Sequence, residues 1–221
     1  VCINALMSKY ENSNHLQSRA LQCERGGRLL FDNVSFELKA GEALLVQGAN
    51  GSGKTSLLRI LTGLNPAIEG DVLWNATSIS DDEHAYQQEL LFIGHQAAIK
   101  QELSVRENLR LHYSLNNCAA DTMVELAEQV GLRQRLGVIC SRLSAGQQRR
   151  VSLARLFLSD QALWILDEPL TALDVDFIAV VEARIQAHLA RGGMLILTTH
   201  RSLDLGSAKV RILNLDNRLT K

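Results

Sequence analysis

Eight consecutive residues have the pattern of a phosphate-binding loop, in which Gly is followed by four residues, Gly, Lys, and Ser or Thr. They are Gly48, Ala49, Asn50, Gly51, Ser52, Gly53, Lys54 and Thr55, and Ser56 follows them. Glycines let the backbone turn tightly, so that several N–H groups point into one concavity that suits a polyphosphate. Lys54 can reach the β- and γ-phosphates, and the Thr55 hydroxyl can bind Mg²⁺. The alternative is a glycine-rich turn that happens to contain a lysine.

Two adjacent carboxylates, Asp167 and Glu168, follow the apolar segment 163–166. In an open parallel sheet, ligands bind at the carboxyl ends of the strands, where such acids would lie. Asp167 is placed to hold Mg²⁺, directly or through water. Glu168 is then free to act as the general base on an attacking water. A solvated acidic pair is the alternative, but the nearby phosphate loop favours hydrolysis of a phosphoanhydride.

Strands and helices must position these two motifs. Short apolar segments alternate with helical ones, which indicates a parallel sheet covered on both faces. The predicted strands are 43–46, 90–93, 162–166, 194–198 and 210–213. A helix is expected from Ser56 to about Thr62, where Gly63 ends it, and another over 175–190.

The region before the phosphate loop predicts β structure of a different kind. Val34, Phe36 and Leu38 alternate with polar residues, which is the period of a half-buried strand. Residues 70–74 predict a further strand, and 75–82 a loop with a solvated acidic run at 81–83. Residues 1–15 have no sustained period and predict a flexible extension to a single domain over 16–221.

Residues from about 97 to 158 predict a helical subdomain inserted between strands. Ser104 with Glu107 has the form of a capping box, and Asp121 opens a second amphipathic segment. This subdomain is the expected coupling surface for other subunits.

Composition excludes several classes of function. With 221 residues, 46% apolar and 21% charged, the chain is an ordinary single globular domain. A net charge of −1 gives no electrostatic footprint for nucleic acid. The four cysteines are too scattered for a zinc knuckle and are interpreted as reduced thiols. No apolar run approaches the roughly 18 residues of a membrane span, and no signal peptide is evident, so work at a membrane requires another chain.

Further motifs resemble those of ABC-type ATPases. The signature motif is matched by Leu143, Ser144, Ala145, Gly146 and Gln147. Residues 171–174, which end with Asp174, are similar to the D-loop, His200 resembles the switch histidine, and Gln96 resembles the Q-loop glutamine. With the phosphate loop and the acidic pair, these are six motifs in the family's order. The chain is identified as a member of this family, which implies an α/β fold of the P-loop NTPase, ABC-ATPase type, with a mostly parallel sheet, an antiparallel N-terminal β region and an inserted helical subdomain.

The resemblance implies how these residues work. In this family the signature, at a helix start, faces the γ-phosphate of ATP held by the other subunit, which implies a homodimer. Lys54, Gln96, Glu168 and His200 are then the catalytic residues, and Thr55, Asp167 and Gln96 are the Mg²⁺ ligands. Family members also stack an aromatic residue on adenine. Arg25 falls near that position, and a guanidinium can stack on a base, which leaves selectivity for ATP over GTP open.

Within the family, the chain is similar to the ATP-binding subunits of cytochrome c maturation exporters, which handle haem. The segments that carry this likeness are 94–96, 143–150 and 164–169. It implies integral membrane partners and a peripheral position at the cytoplasmic face of the inner membrane. His95, Cys118 and Cys140 are interpreted as ordinary structural residues, so direct haem binding is not expected.

Three alternatives remain at this point. Another small ABC exporter would have the same motifs. A soluble ABC ATPase acting on nucleic acid or ribosomes would need two nucleotide domains or a long coiled-coil insertion. The third is a phosphate-loop kinase, in which case the match to the signature motif would be a coincidence.

Overall fold

The computed structural model describes residues 13–114 and 122–216. The predicted extension therefore lies outside the described residues over 1–12, as do Cys118 and Asp121. Among the described residues of that segment, Asn14 is buried, and its backbone oxygen accepts a hydrogen bond from the Ala40 amide.

The described residues form nine strands and seven α-helices. The strands are β1 (His15–Arg25), β2 (Arg28–Lys39), β3 (Glu42–Gln47), β4 (Glu69–Trp74), β5 (Thr77–Ser78), β6 (Leu90–Ile93), β7 (Leu163–Asp167), β8 (Met194–Thr198) and β9 (Lys209–Asn214). The helices are α1 (Lys54–Leu61), α2 (Glu83–Glu89), α3 (Val105–Ser114), α4 (Thr122–Gln129), α5 (Ala145–Leu153), α6 (Arg155–Leu158) and α7 (Val175–Ala190).

Two sheets contain these strands. One is antiparallel, with the order β2-β1-β4-β5, and the other has the order β6-β7-β8-β3-β9. In the second sheet β3 runs parallel to both β8 and β9, and β7 runs parallel to β8. All five residues of β7 and of β8 are buried, which is the pattern of strands covered on both faces. The predicted combination of a parallel sheet with an antiparallel N-terminal region is confirmed.

The chain forms two compact units. Within the described residues, the first comprises 93–114, 122–160 and 168–184 and contains α3 to α6. The second comprises 13–92, 161–167 and 185–216 and contains the antiparallel sheet and most of the parallel one. The second unit has its own apolar core, with Phe31, Leu57 and Ile165 among its fully buried side chains.

Two elements were missed around the predicted loop 75–82: the short strand β5 within it, and the helix α2, which begins directly after it at Glu83. Asp82 is the N-cap of α2, and its side chain accepts a hydrogen bond from the Ala85 amide at 3.1 Å. The acidic run 81–83 is exposed, as predicted for a solvated face, and it also begins this helix. The helix was missed because Tyr86 is its only buried residue, so its sequence lacks an apolar period.

None of the helices in the described ranges is long and apolar enough to cross a bilayer.

Candidate functional site

The phosphate loop connects the carboxyl end of β3 to the first turn of α1. Gly53 is the N-cap of α1 and has φ 97°, in the left-handed region that favours glycine. A Cβ atom at this position would lie 3.0 Å from Cδ1 of Phe31, a fully buried side chain. Both the backbone conformation and the close packing therefore require glycine here, as the motif predicts.

The loop is held in a closed shape by its own lysine. The Nζ atom of Lys54 donates to the backbone oxygens of Gly48 at 2.7 Å and Ala49 at 3.0 Å. The buried Oγ of Ser52 has no hydrogen-bond partner among the described residues. A buried polar atom without a partner is costly, so a preformed loop with an unsatisfied hydroxyl fits a polar ligand such as a phosphate.

A carboxylate from the end of the chain also holds the loop. Both Oδ atoms of Asp216 accept hydrogen bonds from the Ala49 amide, at 2.9 and 3.1 Å. Asp216 follows β9, which pairs with β3, so the sheet brings this carboxylate to the loop.

Thr55 and Asp167, the predicted magnesium ligands, are in contact. Thr55 Oγ1 donates to Asp167 Oδ2 at 2.8 Å, and Thr198 Oγ1 donates to Asp167 Oδ1 at 2.7 Å. Asp167 is only 2% exposed, so its carboxylate has a fixed orientation. A hydroxyl facing a carboxylate at the end of parallel strands is a suitable donor set for Mg²⁺, which prefers oxygen ligands and keeps other positions for water and phosphate.

His200 lies in the loop that follows β8, in the same unit. The Thr199 hydroxyl accepts a hydrogen bond from the Arg201 amide at 3.0 Å, which makes a local turn around the histidine. The His200 side chain is exposed within this turn.

Arg25 lies in a pocket beside the start of α1. The pocket has a volume of about 200 Å³, and its lining also includes Thr55, Ser56 and Arg59. The predicted adenine-contacting residue is thus next to the end of the phosphate loop.

We expect Arg25→Tyr to tighten ATP binding roughly three- to tenfold, because an aromatic ring stacks on a base more favourably than the guanidinium that it replaces. A fluorescence titration with ATP measures this. Arg28→Tyr is the matched control, since Arg28 pairs with Arg25 across the hairpin but is not part of the pocket lining. An unchanged or weaker affinity of Arg25→Tyr for ATP would contradict a role of Arg25 in contacting adenine.

The signature residues lie at the start of α5, in the other unit. Ser144 is the N-cap, and its Oγ accepts from the Gln147 amide at 3.3 Å, while the Gln147 side chain accepts from the Ser144 amide at 3.1 Å. This capping box fixes the first turn of the helix, where backbone N–H groups and the helix dipole attract anions.

Gly146 permits a close backbone approach in this unit. A Cβ atom at Gly146 would lie 2.5 Å from the backbone oxygen of Ala172, a residue of the predicted D-loop with φ 64°. The signature helix and the D-loop therefore touch at a position where only glycine fits.

Gly146→Ala is expected to destabilise the protein by about 1–3 kcal/mol through overpacking. Helix propensity alone would act in the opposite direction, by up to about 1 kcal/mol. Denaturant unfolding measures the change. Gly137→Ala is the matched control, because a Cβ at Gly137 meets nothing within 4 Å. If both variants were as stable as the wild type, the close approach would not matter.

Asp174, the predicted D-loop residue, is also bound to the signature helix. Its Oδ1 accepts from the Phe177 amide at 2.9 Å, and its Oδ2 forms an ion pair with Arg150 of α5. The Phe177 amide and the Arg150 guanidinium lower the pKa of Asp174 from its ordinary value, so the carboxylate stays charged. Arg150 also lies over the Phe177 ring, with Cζ 4.4 Å from its centroid.

The structure brings the predicted residues together in two groups. The phosphate loop and Asp167 meet in one unit, and the signature and the D-loop meet in the other. Glu168 and Gln96 belong to the second of these units. Glu168 is half-buried and has φ 49°, and Gln96 is exposed in the segment after β6.

Three further residues contact the candidate site but were not predicted from the sequence: Thr198, Asp216 and Arg149, the last of which contacts the Glu168 backbone. The only sequence signal for Thr198 is its place at the carboxyl end of a predicted strand, next to where ligands bind. Asp216 and Arg149 act through contacts with residues distant in sequence, which no motif records.

Comparison with known proteins shows the family to which the chain belongs. The ABC transporter family model matches residues 31–171, more than half of the chain. The chain therefore belongs to the ABC transporter family, as an ATP-binding, ATP-hydrolysing subunit.

Similar proteins include the cytochrome c biogenesis ATP-binding export protein CcmA of Vibrio cholerae, 46% identical over 90% of this chain and 98% of that protein. The protein of the same name from Pseudomonas putida is 48% identical, over 91% of this chain and 96% of that protein.

Solved structures support the same fold. An ATP-binding subunit of an ABC transporter matches with a TM-score of 0.73 and 25% identity, over 84% of this chain and 79% of that chain. A putative ABC transporter ATP-binding protein from Pyrococcus furiosus matches with a TM-score of 0.77 and 24% identity, over 93% of this chain and all of that one.

Proposed function

We propose that this chain hydrolyses ATP to drive the haem-handling step of an exporter in cytochrome c biogenesis, at a site completed by a second copy of the chain. The observation that carries the proposal is the identity of 46–48% to proteins named for that process, over nearly their whole length. The contact between Thr55 and Asp167 at the phosphate loop supports hydrolysis of ATP as the reaction.

The residues of the phosphate loop bind the triphosphate. Lys54 leaves the two loop carbonyls that it contacts and turns to the β- and γ-phosphates, while the loop amides and the start of α1 bind their oxygens. Thr55, Asp167 and Gln96 are the residues that would hold Mg²⁺, whose contribution when bound is to neutralise charge on the phosphates.

Glu168 takes the proton of the attacking water as the general base. His200 contacts the γ-phosphate and keeps this water in line. The proton leaves the water as its oxygen bonds to phosphorus, and the bond between the γ-phosphorus and the bridging oxygen breaks to give ADP and phosphate.

The signature of each copy contacts the nucleotide held by the other. Ser144 and Gly146 lie at the start of a nine-residue helix, whose first N–H groups have no partners within the helix. Such a helix start suits a γ-phosphate that arrives from outside the chain. Hydrolysis removes that phosphate and lets the two copies separate.

The conformational change that accompanies hydrolysis is transmitted to integral membrane subunits, and the chain is peripheral at the cytoplasmic face of the membrane.

Haem is not bound by this chain itself. Cys140 is fully buried and accepts a hydrogen bond from Asn108 at 3.2 Å, so it is unsuited to ligate a large cofactor. Burial raises the pKa of Cys140, which also disfavours the thiolate.

Purification from detergent-solubilised membranes tests this proposal. We expect integral membrane proteins to co-elute with the chain and to stimulate ATP hydrolysis, with ADP and phosphate as the only products. Loss of cytochrome c maturation on deletion would support the haem assignment. Normal maturation with export of another cargo would contradict it, and a phosphorylated acceptor would indicate a kinase.

A further inference from the structure

A buried arginine connects the signature helix to two loops in the same unit. Arg149 lies on α5, five residues after Ser144, and is only 5% exposed. Its Nη1 donates to the backbone oxygens of Gly94 at 2.9 Å and His95 at 3.3 Å. Its Nη2 donates to the oxygen of Glu168 at 2.9 Å, and its Nε donates to that of Pro169 at 3.0 Å.

These four oxygens belong to the segments that carry two of the proposed catalytic residues. Gly94 and His95 immediately precede Gln96, and the other two oxygens belong to Glu168 itself and to the residue after it. The Arg149 side chain therefore holds the backbone just before Gln96 and the backbone at Glu168.

The backbone at Glu168 requires such support. Its φ of 49° lies in the left-handed region, which a residue with a Cβ rarely adopts because the backbone is strained there. Bonds from Arg149 to the oxygens of Glu168 and Pro169 fix the two peptide groups that follow this strained φ. They thereby fix the direction in which the Glu168 side chain leaves the turn.

Arginine suits this position for a specific reason. Its planar guanidinium has five N–H donors in a rigid fork and keeps its charge when buried. Lysine would preserve the charge and much of the volume, but its single nitrogen cannot reach carbonyl groups on two sides in the same way.

We propose that Arg149 is a positioning residue that holds Glu168 and Gln96 in register with the signature helix, and so sets the rate of hydrolysis rather than the affinity for ATP. The inference rests on the proposed function, because it assumes that Glu168 is the general base. A misplacement of about 1 Å is enough to reduce a rate by about a hundredfold.

Steady-state kinetics of Arg149→Lys and Arg149→Ala in the complex with its membrane subunits test the proposal. We expect kcat to fall about ten- to a hundredfold in both variants, while the Kd for ATP, measured by titration, changes less than about threefold. Guanidinium ion at concentrations that leave the wild type folded should restore part of kcat in Arg149→Ala.

Arg184→Lys and Arg184→Ala are the matched controls. Arg184 also donates to backbone oxygens in this unit, those of Leu156 at 2.8 Å and Ser159 at 3.3 Å, but neither of these precedes or follows a proposed catalytic residue. We expect these variants to lose thermal stability without a tenfold loss of kcat, and guanidinium should not raise their kcat.

Several outcomes would overturn the proposal. They are an unchanged kcat in folded Arg149→Lys, a parallel loss of ATP affinity and kcat, and failure of both Arg149 variants to fold, which would assign Arg149 to stability alone. Failure of the proposed function is distinguishable, because it would appear as a wild-type complex without ATPase activity or as full turnover in Glu168→Gln.

Discussion

Glu168→Gln is expected to reduce kcat for ATP hydrolysis by about 10²- to 10⁴-fold, the usual contribution of a general base. Glutamine preserves the size of the side chain but cannot accept the proton of the attacking water. The substitution leaves the residues of the phosphate loop, which are proposed to bind the triphosphate, unchanged, so ATP binding should remain. The bound nucleotide should then accumulate unhydrolysed and keep two copies together, which light scattering in the presence of ATP measures.

Glu125→Gln is the control for this substitution, since Glu125 is an exposed residue of α4. It should have wild-type kcat and no ATP-dependent increase in mass beyond that of the wild type. Multiple turnover at near the wild-type rate in Glu168→Gln would remove Glu168 from the role of base.

Lys54→Ala is expected to weaken nucleotide binding itself, by about ten- to a hundredfold. A hydrogen bond to a charged group is worth about 1.5–3 kcal/mol, and the ammonium group is also lost from the two loop carbonyls that it contacts at 2.7 and 3.0 Å. Isothermal titration with a nonhydrolysable ATP analogue measures the change in Kd.

The matched control is Lys39→Ala, because Lys39 is an exposed lysine at the end of β2, paired with Glu37 on the surface. Its Kd for the nucleotide should equal that of the wild type. If Lys54→Ala bound the analogue as tightly as Lys39→Ala does, Lys54 would not contact the phosphates. The contrast with Glu168→Gln, which should retain binding, separates binding from chemistry.

The sequence was sufficient for the elements whose pattern is local. Periodicity, turn residues and glycines predict the strand before the phosphate loop, the helix that ends shortly before Gly63 and the helix over 175–190. All three lie where they are predicted. The start of α5 at Ser144 was also predictable, because the signature motif places a capping residue before the helix.

Other features depend on partners that are distant in the chain. Thr198 is 31 residues from the Asp167 carboxylate to which it donates, and Asp216 is 167 residues from the Ala49 amide that it holds. Arg149 contacts oxygens 54 and 55 residues before it, and neither its type nor its spacing indicated this. Such contacts are set by strand order and loop packing, which no single-sequence motif encodes.

The left-handed backbone at Glu168 is another feature that the sequence did not predict. A glycine would have indicated positive φ in advance, but glutamate does not. The position combines a strained backbone with a proposed catalytic carboxylate, which is where strain is expected to be retained for function.

Each ATP is proposed to lie between the phosphate loop of one copy and the signature of the other. Mixing Lys54→Ala chains with Ser144→Arg chains, in complexes with the membrane subunits, tests it most directly. Each variant alone should be inactive. In the mixture, half of the dimers would be hybrids with one intact pair of loop and signature, so we expect about a quarter of wild-type ATPase activity at equal amounts. A mixture as inactive as either variant alone would contradict the account.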